Sequence, residues 1–472
     1  MVSLLTFFCG CMAHVADSEK IENPNLQKQP NVIVILTDDQ GYGDLGCYGS
    51  RIKTPNIDRM AVDGMRFTDF YAGANVSTPS RAALLTGCYP ARVNMPNVLF
   101  PKDSVCISSA ELTLAEMFKS VGYHTGIVGK WHLGAKNEGL PLQHGFDEFY
   151  GLPYSHGMVP DAFKGFINDP SKKLDADYPP MPLYLNDKEI ELNPDPATFT
   201  TRYTDYCVDF IDKNKDNPFF LYLAHNMPHV PLAVSEERKG KSGVGLYGDV
   251  ITEIDWSIGR IQEALSKNGL EKNTLIIYLS DNGPWLSYGN HGGNAGNLRE
   301  GKGTTFDGGH RVCCVMKWPE VIPAGRVCSE VATTMDILPT MAHYIGARLS
   351  ENKIDGEDII SLMHAEKNAV SPHEAYYYFK GRNLFAVRWG DWKLILPHHE
   401  AKIIKYGKDG LRGVQKTVFV EKALYNLREE PSESKNLLQK YPRKVAKMER
   451  MINVFAEDVK KHDRPCGVIK VE

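Results

Sequence analysis

The sequence predicts an α/β fold, a mixed and largely parallel sheet flanked by helices, followed by a smaller α+β unit with an antiparallel sheet. Three observations predict it. Between residues 32 and 345, short apolar runs alternate with segments of helical period, the pattern of successive βα units. Those runs lack polar alternation, as expected of strands covered on both faces. After Ser371 the texture changes to short aromatic and β-branched runs and then one long helical stretch, which reads as an antiparallel sheet with a terminal helix.

In chain order, Met1 to Ala16 is an apolar run ending in small residues, the tail of an export signal without its basic start. It is too short to span a bilayer. Cys11, after Cys9 and Gly10, is a candidate lipidation site in a poor match to the lipoprotein pattern, so a cleaved leader over residues 1–20 is the expectation. The protein is then exported, periplasmic or secreted. Strands are expected at Val32 to Leu36, Thr125 to Val128, Phe219 to Leu223 and Leu275 to Leu279. Three helical stripes lie between them. They are Leu114, Met117, Phe118 and Val121; Tyr203, Tyr206, Cys207 and Phe210; and Ile251, Ile254, Ile258, Ile261 and Leu265.

Residues 161–196 are rich in Pro, Asp and Lys with weak periodicity and read as a surface excursion of the kind that shapes substrate pockets. The C-terminal strands are expected at Ala375 to Phe379, Leu384 to Trp389 and Trp392 to Leu396, and the helix at Pro442 to Val459. The division is a catalytic unit over 30–370 and a smaller one over 371–472.

At 472 residues and 42% hydrophobic content, the chain can bury a large core. Its 54 basic and 58 acidic residues nearly balance, at −4, so nucleic acid is a poor partner. Ten cysteines, two of them in the leader, form no CxxC pair and no zinc-spaced Cys/His cluster, which disfavours structural zinc. The other eight read mostly as small core hydrophobes, with a disulfide left open by export.

Ligands of open α/β sheets sit beyond the carboxyl ends of the strands, and all four apolar runs end in chemistry. The first leads to Asp38 and Asp39, the second to Lys130 and His132, the third to His225 and His229, the fourth to Asp281 and Asn282. Three carboxylates converging without a cation repel one another. A hard divalent ion resolves the conflict, and an oxygen-only ligand set favours calcium or magnesium over zinc. The competing reading is that each acidic pair caps a turn or helix.

Ser77-Thr78-Pro79-Ser80-Arg81, followed by Ala82 to Gly87, looks like a turn feeding a helix whose N-terminus favours an anion. His225, four residues before His229, is read as packing. Lys302 lies between Gly301 and Gly303, which let the backbone approach a ligand closely. His156 and His291 are candidates for lining the pocket.

These residues stand in a recognisable pattern. Ser77-Thr78-Pro79-Ser80-Arg81 with Thr86-Gly87 resembles the signature of type I sulfatases, whose first residue is converted after translation to formylglycine. TDDQGYGDLGCYG, GKWHLG, PHVPL, SDNG, GKGTTFDGG and, near the C-terminus, ALYNLREEPSESKNLL follow in the family's order. The flavour resembles the arylsulfatase A and N-acetylgalactosamine-6-sulfatase branch. The resemblance implies an alkaline-phosphatase-like sheet and hydrolysis of sulfate esters on a glycan.

It further implies that Asp38, Asp39, Asp281, Asn282 and the converted Ser77 hold calcium, and that Arg81 orients residue 77. Lys130 and Lys302 would grip sulfate oxygens, and His132 would act on the aldehyde hydrate. His229 would protonate the leaving alcohol, and Ser155 would touch substrate. A serine hydroxyl is a feeble nucleophile, whereas an aldehyde hydrate beside a metal ion and a base offers an acidic hydroxyl. Serine rather than cysteine at position 77 resembles bacterial members matured by an anaerobic radical-type enzyme, the one protein partner expected besides the sulfated carbohydrate. Two rivals are a phosphatase or phosphodiesterase of the same superfold, with two metals and several His ligands that this chain lacks, and a catalytically silent receptor for sulfated glycans.

Overall fold

The computed structural model describes residues 29–159 and 178–469. The expected leader, Cys11 and the first half of the 161–196 excursion lie outside the described residues.

The main sheet has eleven strands. Its labelled members are β1 (Asn31–Thr37), β2 (Met65–Tyr71), β3 (His124–Lys130), β4 (Glu148–Leu152), β5 (Pro182–Leu185), β6 (Lys188–Leu192), β7 (Phe219–Ala224), β8 (Thr274–Ser280) and β9 (Arg311–Lys317). From one edge the order is Arg326–Cys328, β2, β9, β8, β1, β7, β3, β4, β5, β6. The five central strands β8, β1, β7, β3 and β4 are parallel. The four anticipated strands are therefore adjacent and co-directional, and their carboxyl ends share one edge. Pairing of Leu36 with Ala224, Thr37 with Ser280 and Gly129 with Ala224 keeps those ends level.

Alternation along β1 divides the core. Val32, Val34 and Leu36 face a layer containing α2 (Ser77–Thr86), α3 (Leu114–Ser120) and α6 (Ile337–Ile345). Ile33 and Ile35 face α1 (Pro55–Asp63), α4 (Phe199–Lys213) and α5 (Leu246–Lys267). Both faces of β1, β7 and β8 are buried, which is why their sequences are continuously apolar.

One expectation is corrected. The second half of the 161–196 excursion is not irregular loop. Residues 182–192 form the hairpin β5–β6, which continues the sheet antiparallel to β4. The eight cysteines at 47 and beyond agree with the reading as small core hydrophobes: all are free thiols and five are buried.

In the C-terminal region, β10 (Tyr376–Lys380), β11 (Asn383–Trp389), β12 (Trp392–Ile395) and β15 (Ala423–Asn426) form an antiparallel sheet. The helix α7 (Pro442–Lys461) packs on it through Val445, Met448 and Ile452. A separate ribbon, β13 (His398–Lys405) and β14 (Val414–Val420), sets its tip against Ser287 and Asn290, beyond the carboxyl end of β8. Asp307, fully buried, ties the two sheets together. It accepts bonds from Tyr71 at 2.9 Å, Tyr378 at 2.6 Å and Lys393 at 3.0 Å.

Candidate active site

Asp38 and Asp39 follow β1, and Asp281 and Asn282 follow β8. All four are buried, and the adjacency of β1 and β8 brings them together. Asp39 takes a left-handed backbone, φ 65°, turning its N–H onto Asp281 Oδ1 at 3.1 Å. Asn282 Nδ2 donates to Asp39 Oδ1 at 2.7 Å.

Ser77 is the first residue of α2, with Val76 at the N-cap. Its side chain is thus not spent on capping. Ser77 Oγ donates to Asp38 Oδ1 at 2.8 Å. One turn on, Arg81 is fully buried behind the carboxylates. It donates to Asp281 Oδ2 at 3.1 Å and to the Lys130 carbonyl at 2.8 Å, and lies 3.7 Å from Asp38 Oδ2. Its ionic contacts run to Asp38 and Asp281 and none reaches Ser77, so any orienting effect on residue 77 is transmitted through Asp38.

Lys130 closes the β3 side with a bond to Asp38 Oδ2. Lys302 approaches from the glycine-rich loop and bonds Asp39 Oδ2 at 2.7 Å. Burial favours neutral forms on both sides of this cluster. It raises Asp39 and lifts Asp281 to about 7, the latter with Asp38 beside it, and it lowers Lys130. Burial would raise Asp38 too, yet Lys130, His229, Arg81 and Lys302 hold it well below the usual carboxylate range.

His132 has φ 63°, strained for a histidine and tolerated where the surroundings fix it. Its Nε2 sits 2.9 Å from the Leu99 carbonyl, and the buried Nδ1 has no hydrogen-bond partner. A carbonyl only accepts, so Nε2 carries the proton and Nδ1 the free lone pair. Burial, with Lys130 nearby, keeps the ring neutral.

His229 Nδ1 lies 2.5 Å from the Val230 carbonyl, and its Nε2 points at Asp39 Oδ2, 3.6 Å away. The His229 ring touches both Trp285, at 5.4 Å between centroids, and His156, at 5.8 Å. His156 Nε2 is bonded to the Pro231 carbonyl at 3.0 Å, and burial lowers its pKa to about 4. Ser155 Oγ is buried without a partner. Beside His156 opens a cavity of about 280 Å³ walled by Met181, Pro194 and Phe199.

His291 sits apart from these groups, half-buried, with its ring against Gly410 and Asp409 of the ribbon tip. His225 is buried with neither ring nitrogen hydrogen-bonded, and burial lowers its pKa to about 3, which keeps the ring neutral. Sequence reasoning missed Trp285 and Arg412. Trp285 stands two residues after SDNG, and that proximity was the available signal.

Fit to a divalent cation rests on the donors. Asp38, Asp39 and His229 each offer a ligand atom within 4.8 Å of the others, and Asn282 Oδ1 is buried with no hydrogen-bond partner. An orphaned buried carbonyl costs free energy, and a cation beside it removes that cost. The set is dominated by oxygen, as hard ions prefer.

Two family models match the chain, "Sulfatase" over residues 30–347 and "C-terminal region of aryl-sulfatase" over residues 371–471. The chain belongs to the sulfatase family. This sulfatase-family chain is 40% identical to arylsulfatase A of Bos taurus over 380 residues, covering 77% of this chain and 74% of that protein. It is 38% identical to the N-acetylgalactosamine-6-sulfatase of Canis lupus familiaris, covering 77% and 71%. Among solved structures it resembles Ps i-CgsB in complex with k-i-k-neocarrahexaose, with TM-score 0.75, 30% identity and 91% and 93% coverage. The fold is accordingly the alkaline-phosphatase-like sulfatase fold, and the relatives' reaction class is sulfuric ester hydrolysis.

Proposed function

We propose that this protein hydrolyses sulfate esters of glycans, releasing inorganic sulfate, with residue 77 as nucleophile after conversion of Ser77 to 3-oxoalanine. The observation that carries this reading is the Ser77 hydroxyl on Asp38 Oδ1 inside a buried ring of three carboxylates and three cations. Asp38, Asp39 and Asp281 balance Arg81, Lys130 and Lys302 in formal charge. A bound dication therefore leaves the pocket net positive, the polarity an anionic sulfate ester requires.

Asp38, Asp39, Asp281 and Asn282 would hold one Ca2+, with Mg2+ the weaker fit, and the side chain at 77 would complete the set. When present, the hydrated aldehyde supplies a hydroxyl acidic enough to attack sulfur, and the ion polarises the sulfuryl oxygens. Lys130 and Lys302 neutralise charge that builds on those oxygens as the ester bond breaks. His132 accepts a proton at Nδ1, its one free ring position. His229 donates Nδ1–H to the Val230 carbonyl, so the proton for the departing alcohol comes from Nε2 of the imidazolium, the form that burial opposes and the Asp38 charge favours. Arg81 holds Asp38 and Asp281 in place. Ser155 and His156 border the sugar, and His291 reaches it only by way of the ribbon tip.

The proposal includes export with removal of residues 1–20, and a catalytic unit over 30–370 with a smaller unit over 371–472. It also includes a bacterial maturation enzyme of the anaerobic radical type. Among the described residues, no helix is long and apolar enough to cross a membrane. N-acetylgalactosamine-6-sulfatase and the neocarrahexaose complex of Ps i-CgsB support a sulfated galactose-type sugar as substrate.

The test is a panel of defined sulfated saccharides and their phosphate counterparts, assayed with protein from a maturation-competent host. The peptide carrying residue 77 should be lighter by two hydrogen atoms in the mass spectrum, and sulfate should be released. A strong preference for phosphate esters, or no turnover with the aldehyde present, overturns the reading.

A further inference from the structure

Trp285 is a wall of the site that carries cations from two distant stretches of the chain. The Lys302 ammonium lies 4.2 Å from the indole centroid. The Arg412 guanidinium lies 5.2 Å from the same centroid. Arg412 and Lys302 are therefore no farther apart than the sum of those distances. Arg412 comes from the tip of the β13–β14 ribbon, more than 100 residues along the chain from the rest of the site.

The ribbon tip is docked with care. Gly407 and Gly413 N–H groups both donate to the Ser287 carbonyl, at 3.0 and 2.7 Å. Asn290 and Asp409 exchange two hydrogen bonds, at 2.9 and 2.8 Å. Gly289 has φ 57°, and a Cβ there would meet the Gly407 carbonyl at 2.0 Å. Close backbone approach of this kind is what glycine permits. Arg412 itself is half-buried and braced by a 2.7 Å bond from Nη2 to Gln415 Oε1. The side chain is thus held at the pocket rim before any ligand arrives, which reduces the ordering cost of binding.

The charge of the ribbon points the same way. Lys402 and Lys416 are exposed and directly opposite each other, an arrangement that destabilises a strand pair. The acidic Glu400 on the same ribbon is already committed to Lys380 and His398. Glu300 offsets part of the Lys402 charge, and an anion running along the ribbon would relieve more of the repulsion.

We propose that Arg412 is a specificity residue that reads a second anionic group, sulfate or carboxylate, on the glycan that carries the scissile ester. This rests on the sulfatase reading above. Lys302 takes the ester to be cleaved, and Arg412, across the Trp285 face, takes the next negative charge. A planar guanidinium suits both candidate groups because each offers two oxygens to its fork.

The experiment compares kcat/KM for one neutral sulfated sugar with that for two acidic partners, the same sugar bearing a second sulfate and the same sugar linked to a uronic acid. Arg412→Gln should lower the acidic-to-neutral ratio about tenfold or more, the size of a lost charged hydrogen bond, and Arg412→Lys should restore part of it. The acidic partner that loses most identifies the group read. A ratio unchanged within about twofold in Arg412→Gln overturns the proposal.

Salt supplies a reading on the unaltered protein. KM for the acidic sugars should rise more steeply with ionic strength than KM for the neutral one; equal slopes overturn the proposal even if Arg412→Gln fails to fold. Calorimetric binding of the doubly charged sugar to Ser77→Ala separates the two failures. Absent turnover with retained, Arg412-dependent binding sinks the sulfatase reading alone, whereas turnover without such dependence sinks only this one.

Discussion

Ser77 and Asp38 are joined by a 2.8 Å hydrogen bond between the first residue of α2 and the carboxylate that ends β1. The contact couples the proposed nucleophile to the proposed metal site, because the same carboxylate also receives Lys130 and faces Arg81. Neither helix nor strand could supply this pair alone.

Ser77→Ala removes the oxygen that is converted and leaves the carboxylate ring intact. Sulfate release should fall at least about a thousandfold, as expected for loss of a nucleophile. Binding of a sulfated sugar and the thermal midpoint should change little. A silent receptor would instead show no loss of any measurable role.

Removing the cation should destabilise as well as inactivate. Three carboxylates then rely on Lys130, Lys302 and Arg81 alone. Dialysis against EGTA should lower Tm, and Ca2+ should restore it more fully than Mg2+. A ligand at a hundred times its Kd contributes about 2.7 kcal/mol to stability, a shift readily read by calorimetry.

His229→Ala should separate substrates by leaving group. A sugar alcohol needs its proton delivered, whereas an activated phenol departs as the anion. The loss should reach about 10² to 10⁴-fold on a sulfated sugar and be markedly smaller on 4-nitrophenyl sulfate. Equal losses on both would remove His229 from the proton path.

Asp307 belongs to GKGTTFDGG, a stretch the sequence marks as part of the catalytic pattern, yet its contacts are with Tyr71, Tyr378 and Lys393. Asp307→Asn removes one of the two buried carboxylates on Lys393, leaving Glu433 at 2.8 Å, and takes away the carboxylate 3.6 Å from Arg311. Removing one partner from a buried charge network costs up to about 3 to 5 kcal/mol. Chemical denaturation should show that loss, with KM of the remaining folded protein nearly unchanged.

His373 gives a stability signature in pH. Burial opposes protonation of its ring, but Asp336, 2.7 Å away, overcomes this and raises the pKa above 6.5. Folding therefore binds this proton more tightly than the unfolded chain does. The contribution is full below pH 6.5 and fades as pH climbs through the folded value. The Tm gap between the unaltered protein and His373→Gln should be wider at pH 6 than at pH 9.

The strands that carry the site were readable because burial on both faces makes β1, β7 and β8 continuously apolar. β2 and β9 escaped because Arg66, Asp69, Arg311 and Lys317 interrupt them. Asp69 finds its partners only in the fold, Arg311 at 2.9 Å and Arg388 at 2.6 Å. The ribbon β13–β14 has little buried face, so no hydrophobic period announces it. At the site, strand ends revealed the carboxylates, Lys130, His132 and His229, flanking glycines marked Lys302, and the family resemblance ordered them. Arg412 was hidden because its position depends on glycine contacts at residues 289, 407 and 413, which no local pattern records.

The most direct test is a crystal structure of the mature protein grown with Ca2+, read through the anomalous signal of the ion. The account predicts one peak about 2.3 to 2.6 Å from oxygens of Asp38, Asp39, Asp281 and Asn282, with the side chain at position 77 in the same shell. A peak elsewhere, or one at the carboxylates with residue 77 turned away, would contradict it.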